Sequence, residues 1–291
     1  MPMPGTLVLT RREVAALLTL DETIAAVEDA FRAQGEGGAP PAGILGFPAV
    51  DGGFHVKAAG LALRRSYFAV KTNGNFFRNR ERFGMPNIQG TIVLCDGENG
   101  YPLAVLDSIE ITILRTGAAT AVAAKHLARP ESSVATVCGC GNQGRVQLRS
   151  LARVLPLRRA YAYDADFAAA ERLAAELGAE LGIAIEPVRD PASAAGRSDV
   201  CVTCTPSRRA FLDREDIAPG TFLAAVGSDS ADKQELAPAL VAASKIVADA
   251  LEQCAEIGEL HHALESGLVS RGDVYAELGQ LVAGKRPGRT S

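Results

Sequence analysis

The sequence predicts an α/β protein of two domains, in which an α+β domain precedes a domain of alternating strands and helices. The 291 residues exceed the size at which a single hydrophobic core usually keeps growing. Apolar residues make up 47% of the chain and charged residues 22%, values typical of soluble globular proteins. From residue 133 onward, strand patterns alternate with helix patterns, which indicates parallel strands joined by right-handed crossovers.

The first half is predicted to start with two helices, each opened by a capping box. Thr10 is followed three residues later by Glu13, and Thr19 by Glu22. Glycines and prolines from residue 35 onward then end the helices and introduce a strand-rich region. Two Asx-Gly pairs within residues 96–100 separate TIVLC from PLAVL and predict an antiparallel hairpin. The first domain is therefore expected to be α+β.

The second half is predicted to follow a long alanine-rich helix, from about Ile111 to Ala128, that ends at Arg129-Pro130. We expect the domain boundary within this helix, giving domains 1–117 and 118–291. The strands predicted after the helix are VATVC, RAYAYD, AIEPV, DVCVTC, TFLAAV and KIVAD.

Charge and hydropathy exclude several classes of partner. The net charge of −4 provides no basic field for phosphates, and five Tyr, ten Phe and no Trp offer few stacking platforms, so nucleic acid is not an expected partner. No run approaches the roughly 20 apolar residues that span a bilayer. The N-terminal sequence MPMPGTLVL lacks the features of a secretory signal, which predicts a cytoplasmic protein.

The cysteines and histidines do not predict a metal site. Six cysteines in a chain of this length without an export signal are interpreted as reduced thiols. Cys201 and Cys204 form a CxxC, but residues i and i+3 of a strand point to opposite faces. This geometry argues against both a zinc site and a redox-active pair. His261 and His262 could be ligands, but neighbouring helical residues diverge by about 100°, which favours a solvated helix face.

The strongest chemical signal is the GxGxxG at residues 139–144, between the strand VATVC and a helix. Gly139 permits the tight turn, Gly141 lets the backbone approach a pyrophosphate, and Gly144 allows close packing of the helix. The helix start, at Asn142 and Gln143, presents free amides to anionic phosphates. These features together predict a Rossmann domain that binds a dinucleotide.

An acid at the end of the next strand predicts the identity of the dinucleotide. Asp164 lies 20 residues beyond Gly144, where the fingerprint places the carboxylate that binds the ribose hydroxyls. A carboxylate there repels a 2′-phosphate, and no arginine follows it directly, so NAD(H) is favoured over NADP(H). Asp166 is a weaker alternative for this role.

Three segments together resemble the ornithine cyclodeaminase/mu-crystallin family: LRTGAAT at 114–120, GCGNQG at 139–144 and VGSDSADKQEL at 226–236. The specificity lies in the combination of an RTGAA helix before the glycine loop with a GxDxxxKxEL element after it. The resemblance covers nearly the whole chain. It implies a substrate and dimerisation domain followed by a Rossmann domain, a homodimer, and a nicotinamide cofactor acting on small amino or imino acids.

The resemblance also implies roles for individual residues. Lys71 and Arg115 are expected to hold the substrate carboxylate near the nicotinamide, with Lys71 counted among the catalytic residues, and Asp229 is the expected proton-transfer acid. Arg115 could instead contact the cofactor phosphates, with Thr116 beside it. From the pattern alone, Lys71 could equally face solvent, and Asp229 could be a helix N-cap or a loop carboxylate. Further positions that match cofactor contacts of the family are Asn87, Thr205, Val226, Gly227 and Lys233.

The sequence departs from the family pattern at two places. Residues 40–43 read Pro-Pro-Ala-Gly where many members carry an arginine for the substrate carboxylate, and we hypothesise that Lys57 supplies the absent charge. The chain ends in GKRPGRTS, where the family usually continues into an FDSTG-like segment and a last helix. Either the sequence is truncated, or the segment is absent and the cofactor pocket and the dimer are expected to be incomplete.

Three functions are compatible with these features. The leading one is an NAD(H)-dependent oxidoreductase that reduces an imino acid or oxidatively deaminates a small amino acid such as alanine. An alternative is a cyclodeaminase that uses NAD catalytically, with ammonia leaving and no net change in cofactor. The third is a non-enzymatic NAD(H)- or hormone-binding protein similar to the crystallin, against which the presence of Lys71, Arg115 and Asp229 counts.

Overall fold

The computed structural model describes residues 5–40 and 42–290. The chain divides into two compact units, Met1–Arg115 and Thr116–Ser291, and this boundary falls within the helix Ile109–Leu127. The boundary predicted from the sequence, after residue 117, lies in the same helix. Pro41, in the segment that lacks the arginine of the family, lies outside the described residues.

The first unit is built on a six-stranded sheet with the strand order β1-β6-β5-β4-β3-β2. Its strands are β1 (Leu7–Leu9), β2 (Gly43–Ala49), β3 (Gly52–Ala62), β4 (Ser66–Phe76), β5 (Ile88–Asp96) and β6 (Pro102–Asp107). Its helices are α1 (Arg11–Leu17), α2 (Leu20–Glu36), α3 (Asn79–Phe83) and the first part of α4 (Ile109–Leu127). β5 and β6 pair antiparallel, which confirms the predicted hairpin.

Local sequence signals account for the helices that open this unit. Thr10 caps α1 and Thr19 caps α2, and both capping boxes are formed with Glu13 and Glu22. The strand β1 was not predicted from the sequence. It has three residues and pairs parallel with β6, so its formation depends on a partner about a hundred positions away rather than on a local pattern.

The register of β3 and β4 places two lysines on one face of the sheet. Lys57 lies directly opposite Lys71, and directly opposed residues of an antiparallel pair share a face. The other face carries large apolar side chains that remain 41% to 60% exposed in this chain. We call it the apolar face; its members are Leu45, Phe47, Phe54 and Phe68.

The second unit is a doubly wound sheet of five parallel strands with the order β12-β10-β7-β8-β9. Its strands are β7 (Val134–Cys138), β8 (Arg159–Tyr163), β9 (Ala184–Val188), β10 (Val200–Thr203), β11 (Arg208–Leu212), β12 (Phe222–Ala225), β13 (Gln234–Leu236), β14 (Ile246–Ala248) and β15 (Val274–Glu277). Its remaining helices are α5 (Asn142–Val154), α6 (Phe167–Leu181), α7 (Pro191–Ala195), α8 (Pro238–Ala242), α9 (Leu251–Glu256), α10 (Glu259–Glu265) and α11 (Leu278–Val282), with short 3₁₀ helices at Arg214–Asp216 and Arg271–Asp273.

Successive residues of the central strands face two separate cores. Val200 and Val202 of β10 belong to the core beneath α5 and α6, which includes Leu148 and Leu173. Cys201 lies in the opposite core, which is built from α8, α10 and the short strands. A sheet covered on both faces explains why these strands are continuously apolar rather than alternating.

Two pairs of short strands lie outside the five-stranded parallel sheet. KIVAD was predicted as a strand within the alternating series, but β14 pairs with β15 in a separate two-stranded sheet. β11 and β13 form another two-stranded sheet. Sequence periodicity cannot assign a three-residue strand to a partner, because the pairing is decided by the packing of the helices around it.

The last described residues lie along the end of α4. The backbone N–H of Arg289 donates to the carbonyl of His126 at 2.7 Å, and its Nε donates to the carbonyl of Leu127 at 2.6 Å. Within the described part of the chain, no helix has the length and apolar character needed to cross a membrane.

Candidate functional site

The glycine loop joins β7 to α5 in a turn that requires its glycines. Gly139 has a φ of +102°, a conformation that side chains other than glycine rarely adopt. A Cβ on Gly144 would overlap the carbonyl oxygen of Gly139 and lie 3.0 Å from the carbonyl carbon. Gly141, in contrast, faces open space, with no atom within 4 Å of a Cβ built there. The backbone at Gly141 is therefore accessible to a ligand.

The N-terminus of α5 is arranged to bind an anion. The helix has 13 residues, its N-cap is Gly141, and no side chain caps it. The first amides of such a helix, at Asn142 and Gln143, have no intrahelical acceptor, and the helix dipole places partial positive charge beside them. A phosphate group approaching over Gly141 would meet these donors.

Asp164 lies beside the glycine loop. Its Oδ2 accepts a hydrogen bond from Cys140 N at 2.7 Å, and its Oδ1 accepts from Asp166 N at 2.9 Å. Each carboxylate oxygen retains a second lone pair, so further donors can still bind. Asp166, the weaker alternative, instead caps α6 and pairs with Arg172 at 3.0 Å. The structure thus gives Asp166 a local structural role and places Asp164 next to the loop.

The loop after β10 lies against the glycine loop. Cys204 N donates to the carbonyl of Cys138 at 2.8 Å, and a Cβ on Gly139 would lie 2.8 Å from the Cys204 carbonyl oxygen. These contacts occur between β7 and β10, where the strand order reverses. Crevices at such switch points are where open α/β sheets bind ligands.

A buried carboxylate that sequence reasoning did not single out holds the loops after β10 and β12. Glu235, on β13, is fully buried. Its Oε1 accepts from the Thr205 backbone N–H at 2.6 Å and from the Thr205 hydroxyl at 2.7 Å, and its Oε2 accepts from Gly227 N at 3.0 Å. Burial raises the pKa of the Glu235 carboxyl. Glu235 is part of the GxDxxxKxEL element at residues 227–236, but an isolated acid in a three-residue strand carries no periodic signal for its role.

A second carboxylate, that of Glu259, binds the backbone of the strand that carries Glu235. Glu259, at the start of α10, accepts from Glu235 N at 2.8 Å and from Leu236 N at 3.0 Å. Val226 N donates to the Thr203 carbonyl at 2.8 Å, which continues the pairing of β12 with β10. The predicted contacts Thr205, Val226 and Gly227 therefore belong to one hydrogen-bonded assembly.

Asp229 and Lys233 form an ion pair. Lys233 Nζ lies 2.5 Å from Asp229 Oδ1, and the Asp229 side chain is 62% exposed while that of Lys233 is 20% exposed. Asp229 is neither a helix cap nor buried, so its carboxylate is accessible to a bound molecule. Lys233, predicted as a cofactor contact, is engaged with Asp229 in this structure.

The cationic residues predicted for substrate binding lie together in the first unit. Lys57 and Lys71 are cross-strand neighbours, and Arg115 lies near enough to influence Lys71 electrostatically. Burial, then the charge of Arg115, then the charge of Lys57 lower the pKa of Lys71 to about 8. We call these three residues the cationic cluster. A bound carboxylate reduces the electrostatic repulsion between positive charges in a cluster of this kind.

Asn87 and Thr116, two further predicted cofactor contacts, lie in the loop around α3 and in α4. Asn87 belongs to the first unit, where its side-chain oxygen accepts from Arg80 N at 3.1 Å and its carbonyl accepts from Phe76 N at 2.8 Å. These bonds hold the loop around α3. Thr116 begins the second unit, within α4.

The structure separates the two cysteines of the CxxC and brings the two adjacent histidines close together. Cys201 and Cys204 belong to different cores, as the strand geometry predicted, and burial raises the pKa of Cys204. The expectation that His261 and His262 diverge onto a solvated face was wrong. One ligand atom of each histidine and one of Glu265 lie within 4.8 Å of one another. His262 Nε2 also lies 2.7 Å from the Lys233 carbonyl oxygen, and His261 Nδ1 lies 3.3 Å from the Ala255 carbonyl oxygen.

Solved structures similar to this chain include several oxidoreductases. An archaeal alanine dehydrogenase dimer with bound NAD is 38% identical, with a TM-score of 0.90 over 98% of this chain and 87% of that one. The iminosuccinate reductase of Paracoccus denitrificans in complex with NAD⁺ is 32% identical, with a TM-score of 0.91 over 99% and 88%. The Δ¹-pyrroline-2-carboxylate reductase of Thermococcus litoralis, in complex with NADH and L-proline, is 30% identical, with a TM-score of 0.88 over 98% and 89%.

The family model of ornithine cyclodeaminases and mu-crystallins matches residues 5–291. The match spans both units, and it includes the glycine loop, the cationic cluster and the Asp229 loop. The chain belongs to the ornithine cyclodeaminase/mu-crystallin family.

Proposed function

We propose that the protein is an NAD(H)-dependent oxidoreductase that acts on the C–N bond of a small α-amino or imino acid. The observation that carries this proposal is the glycine loop, in which Gly141 is open and α5 lacks a side-chain cap. Family membership agrees with it, since the three similar structures described above all contain NAD⁺, NAD or NADH.

The residues of the second unit fit a dinucleotide. The uncapped amides of α5 would hold the pyrophosphate, and Asp164 would accept hydrogen bonds from a ribose. A carboxylate at this position disfavours a 2′-phosphate, so NAD(H) fits better than NADP(H). When bound, the nicotinamide supplies the site to which, or from which, a hydride is transferred.

The cationic cluster is proposed to bind the carboxylate of the substrate. Lys71, Arg115 and Lys57 provide charge-assisted hydrogen bonds that orient Cα of the substrate. Lys57 takes the place of the family arginine that is absent from residues 40–43. The lowered pKa of Lys71 keeps this lysine near the point of titration at neutral to mildly basic pH.

Asp229 is proposed to transfer the proton that accompanies hydride transfer. Oxidation of an amine to an imine requires that the nitrogen lose a proton, and a positioned carboxylate can accept it. In the reducing direction, the same carboxyl returns the proton. Lys233 pairs with the Asp229 carboxylate in this structure, and a substrate ammonium is proposed to replace the lysine as its partner.

The first unit is proposed to form the contact of a homodimer through its apolar face. Four large apolar side chains on one face of a sheet are a surface that soluble proteins usually cover. Isologous dimers are the commonest assembly of identical chains. Sedimentation or light scattering on the purified protein tests this, and Phe47→Glu is expected to shift the protein towards a monomer.

Absorbance at 340 nm tests the proposed reaction. The purified protein is given NAD with a panel of amino acids, and NADH with pyruvate plus ammonia or with cyclic imino acids, while ammonia is assayed in parallel. A net change in NADH with one substrate supports the proposal and identifies the side-chain class. Ammonia released from ornithine or lysine without net NADH change indicates the cyclodeaminase instead, and no change in either signal indicates a binding protein.

A further inference from the structure

One buried carboxylate connects two loops at the carboxyl edge of the sheet in the second unit. Glu235 binds Thr205, which follows β10, and Gly227, which follows β12. Both loops belong to the proposed cofactor site. Among the described residues, the Thr205 backbone N–H donates to Glu235. The Gly227 backbone N–H donates to Glu235 and also approaches the Thr203 carbonyl oxygen at 3.1 Å.

The link extends to the glycine loop and to the proposed proton-transfer acid. Cys204, one residue before Thr205, contacts the turn at Gly139. Asp229 lies two residues after Gly227, and its N–H donates to the Gly227 carbonyl at 3.0 Å. A shift of Glu235 would therefore change the positions of the loops on both sides of the crevice.

The packing around Gly227 leaves little room for adjustment. A Cβ on Gly227 would overlap the Glu235 carboxylate and lie 2.5 Å from the Thr205 carbonyl oxygen. Glu259 holds the backbone of β13 at the same time, through Glu235 N and Leu236 N. Glu259 thus fixes the backbone at Glu235, while the two oxygens of the Glu235 carboxylate bind two separate loops.

We propose that Glu235 is a positioning residue that sets the loops bearing Thr205, Gly227 and Asp229 against the glycine loop, so that cofactor affinity depends on its carboxylate. The inference rests on the proposed function, because the loops are assigned to the cofactor site there. Glu235 is fully buried and does not itself reach the cofactor; it acts through the backbone amides that it binds.

The substitution Glu235→Gln tests this with little change in shape. A carboxamide replaces one acceptor oxygen by an NH₂ donor, which then faces either the Gly227 N–H or the donors of Thr205. Two donors that face each other in a buried place repel, and one of the two loops loses the hydrogen bond that Glu235 provides. We expect the dissociation constant for NADH to rise at least about tenfold, the lower end of the loss caused by removing one buried charge-assisted hydrogen bond.

Asp199→Asn is the matched control. The Asp199 carboxylate also accepts from two backbone amides, Ser133 N at 2.8 Å and Val134 N at 3.0 Å, but at the amino edge of the same sheet. This variant is expected to lower the melting temperature without changing the affinity for NADH more than about twofold, because it disturbs the edge opposite the loops.

The experiment combines NADH fluorescence titration with thermal melting on the full chain, for the wild-type protein and both variants. The inference is overturned if the Glu235→Gln protein has a lower melting temperature than the wild type but binds NADH as tightly as the Asp199→Asn protein does. Glu235 would then have a structural role only. A wild-type protein that does not bind NADH refutes the proposed function instead, which is a different result.

Two further measurements keep the inference testable if Glu235→Gln does not fold. Glu235→Asp retains both acceptor oxygens but draws them back from the Thr205 and Gly227 donors by one methylene, so it is expected to bind NADH more weakly than the wild type; wild-type affinity would contradict the inference. Hydrogen exchange on the wild-type protein requires no variant. The Thr205 amide lies outside β10, and it is expected to exchange as slowly as the strand amides; fast exchange contradicts the anchoring by Glu235.

Discussion

Two glycines of the same loop should separate cofactor binding from stability. Gly141→Ala places a methyl group in open space, above the N-terminus of α5. Gly144→Ala places it against the carbonyl of Gly139, with Val137 Cγ2 3.4 Å away on the other side. The first change blocks the approach of a pyrophosphate to the backbone, whereas the second strains the turn itself.

The magnitudes follow from these surroundings. Overpacking costs about 1–3 kcal/mol, and a unit of this size loses roughly 2–4 °C in melting temperature per kcal/mol, so Gly144→Ala should lower the melting temperature by about 2–12 °C. Gly141 has a φ of −77° that alanine adopts freely, but alanine is a weaker N-cap than glycine by about 1 kcal/mol, so its variant should melt within about 4 °C of the wild type. Loss of a charge-assisted hydrogen bond to phosphate, about 1.5–3 kcal/mol, raises the NADH dissociation constant about 10- to 150-fold.

The assay is a fluorescence titration with NADH and a thermal melt of each apo protein. Measuring the apo protein matters, because bound cofactor itself raises the melting temperature. The reasoning is refuted if Gly141→Ala binds NADH like the wild type, since the backbone at this position would then be remote from the phosphates. It is equally refuted if Gly141→Ala destabilises the apo protein as much as Gly144→Ala does.

The remaining predictions concern Asp229, Lys71 and Lys57. Asp229→Asn should reduce turnover by roughly 10²–10⁴ while NADH affinity persists, and unchanged turnover would exclude Asp229 as the proton-transfer group. Because only protonated Lys71 holds a carboxylate, kcat/KM should fall as pH rises through about 8, and a pH profile that keeps this limb in Lys71→Arg would assign it elsewhere. The unfolded lysine keeps its pKa near 10.5, so the unfolded state binds more protons between about pH 8 and 10.5, and Lys71 makes the free energy of unfolding rise with pH across that window. Lys57→Ala should raise the substrate KM sharply, and unchanged steady-state kinetics would contradict its role in carboxylate binding.

Features whose signals are local could be predicted from the sequence. The capping boxes of α1 and α2, the hairpin of β5 and β6, and the glycine loop all depend on residues within a few positions of one another. The alternating series predicted the five parallel strands, because buried parallel strands are apolar throughout. The nearness of Asp164 to the loop followed from the spacing of a βαβ unit.

Features that depend on distant partners could not be predicted in this way. The strand β1 pairs with β6, and β14 pairs with β15 outside the main sheet. The ligand atoms of His261, His262 and Glu265 lie within 4.8 Å of one another, although adjacent residues of a helix point about 100° apart, and each histidine ring contacts a backbone carbonyl of another segment.

The sequence by itself determined the type of fold, the glycine loop and the residues with the chemistry for an amino or imino acid, since composition, short spacings and the family resemblance are properties of the chain. The tertiary structure alone decided how these residues are held. Lys57 meets Lys71 through the register of β3 and β4, and Glu235 reaches Thr205, thirty positions earlier, through a buried contact. Such contacts follow from packing, in which a buried carboxylate must find its donors wherever the fold places them.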